Sequence, residues 1–154
     1  MLLSGCGSGM RRVPTYNLGE RAQVGALIYN VFETQWNVGL GTPPSARIPA
    51  NRFLLVRLSI VNSAGRSVSV PSLSLIDDDG NLIEESTSGD RVPNWLGIAR
   101  TVAPAESEQG NALFDVQPRH YKLKVSDEDN IKFAYIDLPL NFNPESRPGA
   151  TQFQ

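Results

Sequence analysis

The residues best suited to chemistry form an acidic cluster at positions 77–81 of the 154-residue chain. Asp77, Asp79 and Asn81 offer oxygen atoms at alternate positions, and oxygen atoms are the ligands that Ca²⁺ prefers. A common calcium-binding loop needs glycine at its sixth place and glutamate at its twelfth, whereas here glycine stands fourth and Ser88 stands twelfth. Turn preference alone accounts for the cluster, because Asp-Gly is a strong hairpin signal. We therefore predict no metal site and keep these three residues as weak calcium candidates.

Nucleophilic catalysis would require a base, and the chain has one histidine, His120. His120 lies between Arg119 and Tyr121 at the start of a predicted strand, which is typical of a surface or strand-edge residue. The sequence has no G-x-S-x-G elbow, phosphate-binding loop or H-E-x-x-H motif. We predict a protein without catalytic residues or cofactors. A hydrolytic or calcium-dependent enzyme that uses residues 77–81 remains the minor alternative.

The only cysteine, Cys6, follows Leu3, Ser4 and Gly5. An apolar residue, two small residues and a cysteine resemble the lipobox of bacterial lipoproteins, in which diacylglycerol alkylates the thiol and the preceding peptide is removed. An export signal also needs an apolar stretch of about 7–15 residues, so we expect the natural start to lie upstream. The alternative is an unmodified thiol on a disordered terminus, which would leave a secreted, unanchored protein.

Composition limits the possible partners. The net charge is −2 and no basic stretch is interleaved with aromatic residues, which excludes the usual surface for nucleic acids. No apolar run approaches the length of a membrane-spanning helix, so we expect a membrane partner only through a lipid on Cys6. With a single cysteine, no disulfide can form within the chain.

Trp95 and Leu96 are large apolar residues in a predicted loop, between Pro93 and Gly97. Such residues can mark a contact surface for a partner. They can equally close one end of a β-sandwich, because tryptophan is well buried on average. Both alternatives stay open, and the two residues are weak candidates for binding an unknown envelope protein or ligand.

The elements that must position these residues are strands. Residues 54–61 alternate with period two, and this places Leu54, Val56, Leu58 and Ile60 on one aliphatic face. Further strands are predicted at residues 27–32, 68–75, 82–83, 110–116, 121–125 and 131–136, with Pro71 marking an interruption or an edge position in the second of these. A loop is predicted at 39–49 and an exposed polar segment at 84–93. About seven strands separated by turns favour a two-sheet sandwich.

Several segments together carry a family resemblance. They are Gly19-Glu20 and Val24-Gly25 before a tyrosine-containing strand, Ile60-Val61-Asn62, the Asp79-Gly80 turn and residues 104–116. In this order they resemble a bacterial immunoglobulin-like domain of unknown function that is common in lipoproteins and akin to the mycobacterial secreted immunoprotective antigen. Ala105 stands where that family more often has glycine. The resemblance implies an all-β, immunoglobulin-like, two-sheet antiparallel β-sandwich without known catalytic residues.

We therefore divide the chain into three parts. Residues 1–18 are predicted as a lipobox remnant and flexible tether, 19–142 as the sandwich domain, and 143–154 as a disordered tail. The functional hypothesis is a lipid-anchored, outward-facing protein of the bacterial cell envelope that acts as a non-catalytic binding or structural module. A secreted, antigen-like binding protein is the alternative.

Overall fold

The computed structural model describes residues 12–140, which contain strands and turns but no helix. The strands are β1 (Thr15–Tyr16), β2 (Arg21–Val24), β3 (Leu27–Asn37), β4 (Arg52–Asn62), β5 (Val68–Val70), β6 (Ser74–Asp77), β7 (Leu82–Glu84), β8 (Arg100–Val102), β9 (Ser107–Val116), β10 (Tyr121–Ser126) and β11 (Phe133–Leu138).

Two main sheets form a sandwich. One has the order β1-β11-β10-β6-β7, the other has the order β2-β3-β4-β9, and β5 and β8 form a separate pair. Every pairing between these strands is antiparallel except that of β1 with β11, which is parallel. The all-β, immunoglobulin-like sandwich expected from the sequence is confirmed.

The main core lies between the two sheets. Val56, Leu58 and Ile60 of β4 are fully buried there, as their period-two spacing predicted. The opposite sheet contributes Leu123 and Ile136, which are also fully buried. Burial of such side chains stabilises the fold by about 1.5–3 kcal/mol each, so this face of β4 is a main source of stability.

A second, smaller core covers the outer side of β4. Leu55, which alternation placed away from the main core, is 3% exposed and clusters with Phe53 and Leu113. Leu40 and Val92, from the loops that follow β3 and β7, complete this cluster. Period two therefore located the strand correctly, but loops distant in the sequence bury its second face.

Three predicted features differ from the structure. The segment 84–93 was predicted to be exposed, yet Glu85 is buried because it forms an ion pair with the buried Arg100 of β8. Ile131 was assigned to the last strand, but β11 begins at Phe133 and Ile131 lies in the preceding turn, 75% exposed. At the N-terminal side, Thr15–Tyr16 of the predicted tether form β1.

The parallel pairing of β1 with β11 fixes where the chain enters the sandwich. Residues 12–14 lead into β1 beside the start of β11, at the end that also holds the turns at 25–26 and 127–132. We call this the entry end. The opposite end, which we call the hairpin end, holds the turns at 78–81 and 117–120 and the loop at 38–51.

Candidate functional site

A histidine and two carboxylates meet at the hairpin end, and we call these three residues the His120 cluster. His120 precedes β10, Asp78 lies in the turn between β6 and β7, and Asp137 lies on β11. Nδ1 of His120 is 2.7 Å from Oδ1 of Asp78, and Nε2 is 2.5 Å from Oδ1 of Asp137. The imidazole thus bridges three elements of one sheet.

The two contacts define the charge of the imidazole. A ring that faces a carboxylate oxygen with each nitrogen donates two hydrogen bonds only when it is protonated. The hydrogen bonds to Asp78 and then Asp137 raise the pKa of His120 above its ordinary value, although partial burial opposes them. The cluster therefore cross-links the hairpin to β11.

The calcium candidates lie beside this cluster, in the same turn. Oδ1 of Asp77 accepts the backbone N–H groups of Asp79 and Asn81, both at 2.9 Å, and Oδ2 accepts the Asn81 side-chain amide at 3.0 Å. These bonds, led by that from the Asn81 side chain, lower the pKa of Asp77. The Asp77 carboxylate thus shapes the turn. Within residues 12–140, no group of three or more His, Cys, Asp or Glu side chains is arranged to hold a metal ion.

Trp95 and Leu96 lie along the edge of β9. Leu96 is 9% exposed and belongs to the main core, and its N–H donates to the Asn111 carbonyl at 2.9 Å. The half-buried Trp95 packs its indole against Gly89, within the same loop. The structure thus places both residues where they cover a strand edge that would otherwise be open.

Two residues with structural consequences were not singled out from the sequence. Asp137 lies in an alternating strand and looked like an ordinary outward-facing residue, and only the register of β10 with β11 brings it to His120. Glu85 looked like part of a polar loop, and its partner Arg100 lies 15 positions further on. A lone acidic residue carries no signal that identifies its partner.

The predicted lipidation site, Cys6, and the predicted tail at 143–154 lie outside the described residues. Within the part of the chain that is described, no helix has the length and apolar character needed to cross a membrane.

Solved structures with the same fold were found. The yjhA protein from Bacillus subtilis is 14% identical, with a TM-score of 0.61 over 80% of this chain and 98% of that one. The secreted protein MPT63 from Mycobacterium tuberculosis is 14% identical, with a TM-score of 0.56 over 83% and 98%. The Bacillus subtilis protein ycdA, described as "a putative lipoprotein", is 15% identical, with a TM-score of 0.56 over 78% of this chain and 38% of that one.

These likenesses show the fold, and they confirm the predicted resemblance to a bacterial immunoglobulin-like domain. A comparison with curated proteins finds no match. A family model does match, over residues 16–135, and its description is "Domain of unknown function (DUF4352)". Since the match spans most of the chain, this protein belongs to the DUF4352 family.

Proposed function

We propose that this protein is a lipid-anchored, outward-facing module of the bacterial cell envelope that binds or supports a partner without catalysing a reaction. The observation that carries the proposal is the position of Cys6. It is the only cysteine, it follows Leu3-Ser4-Gly5, and it precedes the first strand by fewer than ten residues. A lipid at this position would tether the sandwich close to a bilayer.

The similar structures support an envelope or extracellular setting. One is described as a putative lipoprotein and another as a secreted protein. This chain spans only 38% of the first of these. A shared fold does not transfer function, so these descriptions supply the hypothesis and the residues near Cys6 supply the chemistry.

The His120 cluster supports a non-catalytic role. Each imidazole nitrogen already contacts a carboxylate, Asp78 or Asp137, and a triad base would instead contact a hydroxyl or thiol nucleophile. The loops at the hairpin end are then available for recognition, as the end loops of immunoglobulin-like sandwiches commonly are.

The test is to express the gene with its upstream sequence in its bacterial host and to measure the mass of the mature protein. We expect cleavage before Cys6 and a mass increase that corresponds to a diacylglyceryl group. The wild type should partition into detergent and the Cys6→Ser variant into the aqueous phase. Equal partitioning of the two, with an unmodified thiol, would contradict the anchor.

A secreted, unanchored binding protein is the second candidate, and the description of the similar Mycobacterium tuberculosis protein favours it. The same experiment separates the two candidates. Recovery of the protein from the culture medium with a free Cys6 thiol would establish secretion without an anchor.

A further inference from the structure

An apolar groove of about 800 Å³ opens at the entry end of the sandwich. Val13 and Pro14 line it on the N-terminal side, and Val24 lines it from β2. Ile131 lines it from the turn before β11, and Phe133 lines it from the start of β11. Ile131 is 75% exposed, more than any other large apolar side chain in the described part of the chain. An apolar side chain this exposed beside an open groove offers a contact surface for a lipid or a protein.

The position of this groove relative to Cys6 indicates what covers it. Six peptide steps separate Cys6 from Arg12, which itself lines the groove. A chain of that length reaches at most about 20 Å when fully extended. A lipid on Cys6 would therefore hold the groove within about 20 Å of the bilayer. The hairpin end lies roughly a strand length of 20 Å from the groove, at the other end of the sandwich.

The charges at the entry end are of both signs. Arg12 and Lys132 line the groove as cations. Asp127, Glu128 and Asp129 lie in the same turn as Lys132 and add negative charge. Glu128 accepts the Ala26 N–H at 3.0 Å, and this bond lowers the pKa of Glu128 and keeps it anionic. Such a balance does not favour a strongly charged partner. It fits the boundary between headgroups and acyl chains, where an apolar side chain enters and cationic side chains extend toward phosphate.

We propose that the entry groove is the surface by which the domain rests on the bilayer, with Ile131 inserted among the headgroups and Arg12 and Lys132 near lipid phosphates. In the cell this contact rests on the lipid anchor proposed above. It would orient the sandwich so that the His120 cluster and the other loops of the hairpin end face outward, where an envelope partner can reach them.

The experiment supplies the anchor chemically. Full-length protein is coupled through its only thiol, Cys6, to a maleimide lipid in vesicles of phosphatidylcholine and phosphatidylglycerol. Ile131→Trp places a fluorophore at the entry end. Ile48→Trp is the matched control, because Ile48 is 73% exposed but lies in the loop of the hairpin end. Trp36 and Trp95 contribute the same background to both variants.

Quenching by lipids with brominated acyl chains then reports depth in the bilayer. We expect bromination to quench the Ile131→Trp variant about twofold more than the Ile48→Trp variant, because only the former side chain enters the headgroup region. Equal quenching of the two would overturn the proposal.

The proposal would also be wrong if residues 1–11 or a second copy of the protein filled the entry groove. If residues 1–11 fill the groove, emission of the Ile131→Trp variant is already blue-shifted without vesicles and does not change on coupling. If a second copy fills it, the emission shifts with protein concentration in the absence of lipid. Because the coupling replaces the native lipid, none of these results depends on whether Cys6 is acylated in the cell. The mass measurement decides that separately.

Discussion

Replacing Arg100 and Glu85 together is expected to destabilise the protein by less than the sum of the two single replacements. The two side chains are 1% and 2% exposed. Nη1 of Arg100 donates to Oε2 of Glu85 at 3.0 Å, and Nη2 donates to Oε1. Oε2 also accepts the Leu73 N–H at 2.7 Å, so the carboxylate links β8 to the segments that flank β6 and β7.

The expected magnitude follows from burial. Removing one partner of a buried ion pair leaves an unpaired charge and costs about 3–5 kcal/mol. Small domains are stable by about 5–15 kcal/mol, so Arg100→Met should remove a large fraction of the free energy of unfolding. In the double variant Glu85→Gln, Arg100→Met no charge of this pair remains buried. We expect a coupling free energy of at least about 2 kcal/mol between the two positions.

The assay is urea unfolding followed by tryptophan fluorescence, since Trp36 is 4% exposed and reports loss of the core. The matched control is a second double-mutant cycle, Glu33→Gln and Arg57→Met. This pair has an N–O distance of 3.3 Å, but its side chains are 64% and 49% exposed. Exposed pairs contribute about 0–1 kcal/mol, so the control coupling should be small.

Comparison of the two cycles shows whether burial strengthens the Glu85–Arg100 pair. If the coupling free energies of the buried and exposed pairs agree within about 0.5 kcal/mol, burial does not strengthen the Glu85–Arg100 pair and the reasoning is wrong.

Three further predictions concern single residues. The raised pKa of His120 means that its contribution to stability is full below the ordinary value of 6.5 and is lost as pH rises through the folded-state pKa. His120→Gln should therefore lower the free energy of unfolding by up to about 1 kcal/mol near pH 5.5, with little effect near pH 9, in urea titrations at each pH. Tyr29→Phe should cost about 1–2 kcal/mol in the same assay, because the buried Tyr29 hydroxyl donates to the Ser126 carbonyl at 2.6 Å. Ala105→Gly should raise the melting temperature and stabilise by about 0.5–1 kcal/mol, because Ala105 has a φ of 62°.

Each of these has a control or a contradicting result. His120 is the only histidine, so its NMR titration is unambiguous, and a pKa at or below 6.5 would contradict the double contact. If Tyr29→Phe leaves the free energy of unfolding unchanged, the hydrogen bond from the Tyr29 hydroxyl to the Ser126 carbonyl does not stabilise the fold. Ala103→Gly is the control for Ala105→Gly and should destabilise, because Ala103 lacks a positive φ and glycine only adds freedom to the unfolded chain.

The turn at Ala105 shows how much a local pattern can predict. Glu106 N–H bonds to the Ala103 carbonyl at 3.1 Å across Pro104 and Ala105, and this turn favours proline at its second place and glycine at its third. The preference for glycine noted in the family resemblance therefore has a conformational cause. Ala105 keeps the turn at the cost of backbone strain.

Sequence patterns predicted those features of the fold that depend on residues close together in the chain. Alternation identified β4 and its core face, turn chemistry identified the hairpin at 78–81, and their combination predicted an all-β sandwich. The rules failed at Leu55 and Glu85. Both are buried by partners that come from distant parts of the chain.

The sequence by itself determined the class of fold, the main core and the position of a modifiable cysteine at Cys6, because each depends on residue type and spacing along the chain. Only the tertiary structure decided that His120 joins Asp78 to Asp137, that Glu85 meets Arg100, and that the chain enters beside the groove. These features depend on which strands become neighbours and in which register. Packing over the whole domain determines both the neighbours and the register of each strand.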